Sequence, residues 1–587
     1  MSDGEEMRPD GREATPETRT LRVATRRLRY HLDNLPVEYD VDVSADRFLA
    51  GLAFMFARQR YDCADSMIGA GFGGTVLGSI ARSLFVDGLR WLWIGENPDS
   101  RHMLLGDLLE ERNRICVLLE ESGASCPILS RWLMPLPDIA DLTGQSLTWL
   151  DAPSMPSEDE LLKDFLAGAG TTPSRTRADD DHVGLLQRGW MLLDMAGLRG
   201  AVMVLAHAGH GNYLGLQSSL TDDGVPGHDL RADHEALFMQ VAAAGVTATA
   251  LGTAIAVPES WPSDVRQEPF LRRAIDLAKD ITTSAAAIHR LGAPRRVSSQ
   301  GKKNSASRPA KVVLRSRAVP AADDLLPDVN SAAAVVLAAE EYYELAQSRR
   351  FNAWDYGQPL LHEMLSYGGG HSNLQAVMST YDQPGSAVIS VFAARMLLEE
   401  AARLIWRYSI PEEDAFKARA KQFFDEYRAR QKRTVDTLVG SGVPKADAQR
   451  IFARPSNVRL VTPHDQITKD RTPLPKIGSM LREMGQPFPE PGWLEVAYSL
   501  LSQITHSTPV GHLHILRFYD EIWHGNELSP EMLGLALDTA CLGSAHLIGL
   551  SAVTLTNMSS EALRYRENLL RGAAIVHNAA RLIHGLD

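Results

Sequence analysis

An all-α fold, built as two pseudo-repeated helical bundles joined by a flexible basic linker, follows from three observations. A helical unit occurs twice. Around Trp93 the chain reads Ala81-Arg82 … Leu84 … Asp87 … Arg90 … Trp93, and around Trp406 it reads Ala394-Arg395 … Leu397 … Glu400 … Arg403 … Trp406, at a constant offset of 313. Val-Ile-Thr alternation is nearly absent, and no Asn-Gly or Asp-Gly turn separates two alternating apolar runs. Two long uncharged stretches, Ala236 to Pro258 and Thr539 to Ser560, stand in equivalent places. The second is interrupted only by the titratable His546.

Further matches follow in the same order, which is the test for an internal repeat. Glu110-Glu-Arg112-Asn-Arg114 parallels Glu426-Tyr-Arg428-Ala-Arg430 at offset 316, and Ala201 to His210 parallels Ala497 to His506 at offset 296. The offsets change where loops differ. The first unit carries an extra polar loop, roughly Asp151 to His182.

Taken along the chain, residues 1–20 are polar and acidic and read as a disordered tail. Residues 21–292 form the first repeat, with helical periodicity from Ala45 onward. Gly69-Ala-Gly71-Phe-Gly-Gly74 follows no strand, so it is a helix junction rather than a dinucleotide fingerprint, and Gly368-Gly-Gly370-His371 reads as a second junction. Residues 293–328 form the linker. Arg295, Arg296, Lys302, Lys303, Arg308, Lys311, Arg315 and Arg317 precede its first acid, Asp323. Residues 329–587 form the second repeat. Seven prolines between Ala453 and Pro491 make that stretch irregular. Ser529-Pro530-Glu531 marks a helix start, with Ser as cap and Pro in the first turn.

The 587 residues carry a formal charge of −13, which disfavours non-specific adhesion to nucleic acid or anionic lipid. Four cysteines (Cys63, Cys116, Cys126, Cys541) lack metal-ligand spacing, and the first twenty residues do not resemble a secretory signal. A cytoplasmic protein with reduced thiols is the expectation. The uncharged stretches 236–258 and 539–560 are long enough to cross a bilayer. Their Ala, Gly, Thr and Ser content, without flanking basic clusters, reads instead as the central buried helix of each half. Membrane association stays a second alternative.

Arg90 and Arg403 each lie three residues after an acid, Asp87 and Glu400, so acid and base share a helix face. Each pair is either an internal ion pair or a guanidinium that holds an anionic ligand. His210 and His506 end matched helices. Tyr498, Ser502 and His506 fall at i, i+4 and i+8 and form one polar stripe, expected to face inward toward the helix of Arg403. In the first half the same places hold Val202, Ala206 and His210. The stripe is either a satisfied internal network or one wall of a site where His506 moves protons. Glu521-Ile-Trp-His524 has a metal-carboxylate spacing without a second copy, so neither metal nor cofactor is expected.

The acid/Arg helix, followed later by a helix ending Ser-x-x-x-His, resembles bacterial helical-bundle proteins of the HEPN-like kind. That resemblance implies ribonuclease activity in defence systems, through an Arg followed four to six residues later by His. Arg517 with His524, and Arg571 with His577, carry the spacing. The residue after the Arg is commonly polar in the family; here it is Phe518 or Gly572. The resulting reading is a bacterial interaction or sensor protein of a defence or stress system, with a HEPN-like ribonuclease as the alternative. Expected partners are another protein or a small anionic ligand, with RNA reaching the basic 295–317 segment.

Overall fold

The fold is described from a computed structural model. It describes residues 15–35, 45–68, 74–97, 100, 103–121, 155–167, 181–194, 198–210, 213–217, 230–261, 267–291, 327–351, 361–383, 385–452, 472–485, 492–519, 522–525 and 527–584. The basic 295–317 segment and residues 69–73 lie outside them.

The described chain is all-α apart from one short hairpin. The helices are α1 (Pro16–Asp33), α2 (Ala45–Met67), α3 (Gly74–Glu96), α4 (Met103–Glu121), α5 (Glu158–Ala167), α6 (Asp181–Leu193), α7 (Leu198–Gly209), α8 (Tyr213–Leu216), α9 (Ala232–Ala256) and α10 (Gln267–His289). After them come α11 (Pro327–Gln347), α12 (Leu361–Thr380), α13 (Val388–Tyr408), α14 (Glu413–Gly440), α15 (Lys445–Arg450), α16 (Ile477–Gly485), α17 (Trp493–Thr505) and α18 (Pro509–His514). The hairpin β1 (Leu516–Tyr519) and β2 (Ile522–Gly525) precedes α19 (Pro530–Leu555) and α20 (Ser560–His584).

Several helix starts are written in the sequence. Ser529 caps α19 by accepting from the Met532 N–H at 2.9 Å, with Pro530 in the first turn. Ser157 and Glu160 form a capping box at α5: Glu160 Oε2 accepts from the Ser157 N–H at 2.8 Å, and Ser157 Oγ accepts from the Glu160 N–H at 3.3 Å.

The two apolar helices α9 and α19 are the axes of the packing. Of the most hydrophobic window in each, 94% of α9 and 83% of α19 is buried inside the protein, so little apolar surface is left for lipid. α9 packs against α2, α3 and α10, and α19 packs against α12, α13 and α20. Small residues allow close approach. Gly245 of α9 lies against the Leu84 backbone of α3, and Gly543 of α19 lies against the Leu397 backbone of α13, again at offset 313 between the two leucines. α1 closes the first layer on α10, as α11 does on α20.

Helices from before and after residue 293 pack on one another. α4 packs on α17 and α18, while α14 packs on α7 and α8. α2 meets α18 as α12 meets α8. Polar contacts follow the same packing: His207 Nε2 on α7 lies 3.1 Å from Thr434 Oγ1 on α14, and Gln503 on α17, with its amide turned to match its neighbours, donates to Glu111 and accepts from Arg114 on α4.

Five expectations need correction. Residues 16–20 are helical, because Thr15 accepts from the Thr18 N–H and Pro16 pre-sets the first turn; residues 1–14 lie outside the described residues. Gly368–His371 is not a junction but the middle of α12, where Gly369 and Gly370 let the helix close on Leu216 and Ile548. The supposed polar loop from Asp151 to His182 contains α5 and the start of α6. The proline-rich stretch contains α16, and α11 begins at Pro327, inside the expected linker.

Candidate functional site

The site is built on α3 and α13, the two helices with the repeated Arg pattern, and on α7 and α17, which pack against them. Tyr498, Ser502 and His506 turn toward α13, but they meet Arg395 rather than Arg403. The Arg395 guanidinium donates to Tyr498 OH at 2.9 Å and to Ser502 Oγ at 3.0 Å, with His506 Nε2 at 3.5 Å. It also pairs with Glu399 at 3.4 Å. Against the desolvation of burial, Tyr498 and Glu399 hold this guanidinium above its ordinary pKa.

The network continues in both directions. Tyr498 OH donates to Glu399 Oε2 at 3.2 Å, and Glu399 also pairs with Arg403 and with His210 Nδ1. Burial would raise the Glu399 carboxyl, but Arg403 foremost holds it well below the usual range. Glu400 pairs with Arg403 at 3.4 Å and with His362 Nε2 at 2.7 Å. On the other side, His506 Nδ1 lies 2.7 Å from Glu158 Oε2, and Glu158 also pairs with Arg82. Arg82 and His506 overcome the desolvation of Glu158 and keep it ionised, while burial lowers the pKa of His506 despite that carboxylate.

The expected acid/Arg pairs form. Arg90 stands 4.0 Å from Asp87, and Asp87 is joined by the fully buried Arg60 at 2.7 Å. Each outer Arg also reaches into the opposite half. Arg90 donates to the Ser507 carbonyl at 3.0 Å and Arg403 to the His210 carbonyl at 2.9 Å, just past the ends of α17 and α7. A helix C-terminus leaves carbonyls without donors, and a cation there is favourable.

A cleft of about 1150 Å³ opens beside this network, between α3, α4, α5 and α17. Six carboxylates line it (Asp107, Glu110, Glu111, Glu158, Asp159, Glu160), against three guanidiniums (Arg82, Arg90, Arg114) and two imidazoles (His210, His506). Burial pushes Glu111 up to about 7, and burial lowers His210 to about 4. One carboxyl in the wall therefore titrates near neutrality, and one imidazole stays unprotonated there. Among the described residues, no group of three or more His, Cys, Asp or Glu is arranged to hold a metal ion.

The other sequence-derived pairs are separate from the cleft. Arg517 and His524 are directly opposed in the β1–β2 ladder. His524 lies on β2, and Glu521, its partner in the sequence spacing, lies outside the described residues. The side chains of Arg517 and His524 lie outside the described set. Arg571 and His577 point apart. Arg571 pairs with Glu567 in solvent, whereas His577 is buried against Asp538 at 3.0 Å. Sequence reasoning missed Arg82, Arg395, Glu399 and Glu158 as site residues. The signals available were the repeated Ala-Arg dipeptide and the capping box Ser157-Glu-Asp-Glu160.

No family model, curated protein or solved structure matches the chain.

Proposed function

We propose that this is an internally duplicated ligand-binding sensor protein, and that the cleft between its halves takes a small polar molecule carrying charges of both signs. The observation that carries the reading is the cleft itself: about 1150 Å³, walled by both halves, with six carboxylates facing three guanidiniums. A pocket of that size suits a small molecule. The excess of carboxylates favours a ligand with a cationic group over the purely anionic ligand that the sequence suggested, and it is a poor track for an RNA backbone, which basic side chains bind. Ser502 and Tyr498, the hydroxyls that share the stripe with His506, both accept from Arg395 rather than donate to the imidazole, which is not the arrangement of a base-activated nucleophile. Recurrent packing, with Gly245 on Leu84 and Gly543 on Leu397, supports the duplication.

Native mass spectrometry of the purified full chain tests the reading. A retained small molecule, lost in Arg82→Ala, is the expected result. A bare protein mass, together with no thermal shift in a panel of zwitterionic metabolites, would count against it.

A ribonuclease is the second reading. It rests on the register pairing of Arg517 with His524, which sets an Arg and a His side by side on neighbouring strands. Incubation with total RNA separates the two. Cleavage lost in both Arg517→Ala and His524→Ala would replace the sensor reading with the enzyme.

A further inference from the structure

Arg82 and Arg395 hold like places at offset 313, but their surroundings differ. Arg395 is satisfied within its own half by Tyr498, Ser502 and Glu399. The places matching those three are Val202, Ala206 and Val86, which are apolar. A buried guanidinium without a partner is costly. Arg82, 9% exposed, receives its carboxylate from elsewhere: Glu158, the first residue of α5. That helix belongs to the stretch by which the first repeat exceeds the second. Glu158 also takes His506 Nδ1 at 2.7 Å, so one carboxylate is clasped between a guanidinium on α3 and an imidazole at the end of α17. All three groups line the cleft, and Arg82 Nε is buried without a hydrogen-bond partner, a donor left over in the cradle.

We propose that Arg82 and His506 form an oxyanion cradle in the cleft, and that Glu158 is its built-in occupant, displaced when the carboxylate or phosphate of a small ligand takes its place. The inference rests on the cleft being a ligand site and names the group that anchors the ligand there. A tethered carboxylate competes at high effective concentration, so free anions bind weakly until it is removed. Release of Glu158 removes the ion pair that ties the start of α5 to α3, and converts occupancy into a movement of that first turn, with Phe165 against Phe85 holding the far end.

The test compares the full-length wild type with Glu158→Gln, Glu158→Ala and the double variant Glu158→Gln/Arg82→Gln. Thermal midpoints are followed against sodium acetate and, separately, sodium phosphate, at constant ionic strength set with chloride. Both Glu158 variants should be stabilised at anion concentrations about tenfold lower than the wild type needs, and the double variant should lose the effect. Response to acetate identifies a carboxylate source, and response to phosphate alone a phosphate source. The same anion dependence in all four proteins overturns the proposal. Should the variants not fold, amide exchange of wild-type α5 with and without phosphate decides. At a phosphate concentration that raises the wild-type thermal midpoint, faster exchange confined to residues 158–167 supports the cradle, and unchanged exchange overturns it. A retained zwitterion without any anion effect would overturn the cradle and leave the ligand cleft standing. An anion effect in a chain that retains nothing and responds to no zwitterion would do the reverse.

Discussion

Arg403 donates to the backbone carbonyl of His210 at 2.9 Å, and Arg90 makes the corresponding bond to Ser507 at 3.0 Å, so each half closes a helix end of the other. The two arginines are not equally exposed to loss. Without Arg90, Asp87 keeps Arg60. Without Arg403, two buried acids lose a shared cation at once, and Glu399 falls back on Arg395 at 3.4 Å and Glu400 on His362 at 2.7 Å. Arg403→Ala should therefore cost about 3–5 kcal/mol. Arg90→Ala should cost about 1–3 kcal/mol, the price of a carbonyl and an acid each short of one donor. Urea unfolding of both variants checks the order. Equal losses would mean that Arg60 does not compensate Asp87.

Arg395 makes a testable unit with Tyr498 and Ser502. Tyr498→Phe and Ser502→Ala each remove one acceptor from the buried Arg395, which keeps Glu399 at 3.4 Å and His506 at 3.5 Å, at about 1–3 kcal/mol apiece. Because both bonds come from one guanidinium, the effects should not add. A double-mutant cycle on Tyr498 and Ser502 should give a coupling of about 0.5 kcal/mol or more. Additivity would show that each is satisfied independently of Arg395.

What the sequence made legible is local. The i, i+3 acid/Arg pairs, the Ser529 cap and the burial of the uncharged helices depend on residues within one or two turns. The i, i+4, i+8 stripe was visible for the same reason. Its partner was not. Arg395 stands on the same helix as Arg403, eight residues earlier, and only the crossing of α13 with α17 decides which of them meets the stripe. Glu158 was hidden more deeply, since α5 sits inside a stretch that composition marks as polar loop. Its capping box was readable; its contact with Arg82 and His506 joins three segments distant in sequence. Gly368-Gly-Gly370 misled because glycine costs a helix stability in isolation, while packing against Ile548 repays the close approach.

The glycines on the helix axes give a contrast in sign. A Cβ added to Gly543 would stand 2.7 Å from the carbonyl carbon of Leu397, where backbone has to give way. Gly543→Ala should destabilise by about 1–3 kcal/mol, and Gly245→Ala similarly, since it faces the Leu84 backbone. Gly184, within α6, has nothing within 4 Å of such a Cβ. Gly184→Ala should stabilise by about 0.5–1 kcal/mol. Chemical denaturation of the three variants measures this, and a stabilised Gly543→Ala would contradict the packing of α13 on α19.

Buried histidines set the response to acid. Burial lowers His207 to about 3 and His289 to about 4. His289 is locked in one neutral form: Nε2 meets Gln240 Oε1 at 2.6 Å and Nδ1 accepts from the Leu291 N–H at 2.9 Å. The unfolded chain protonates each imidazole below about pH 6.5. Between that value and about pH 4 the unfolded state thus binds more protons, and stability falls as pH falls. Each such histidine contributes a slope of up to about 1.4 kcal/mol per pH unit. The carboxylates act lower: Glu158 and Glu399 have depressed folded pKa values, so their contribution is present above the unfolded carboxylate pKa of about 4.3 and is lost beneath it. Loss of stability should therefore begin near neutrality rather than near pH 4. Urea midpoints between about pH 7.5 and about pH 5 should show it, and His289→Gln should remove the slope of about one proton. An unchanged slope in that variant would mean that His289 is protonated in the folded protein, against the bond that Nδ1 accepts from the Leu291 N–H.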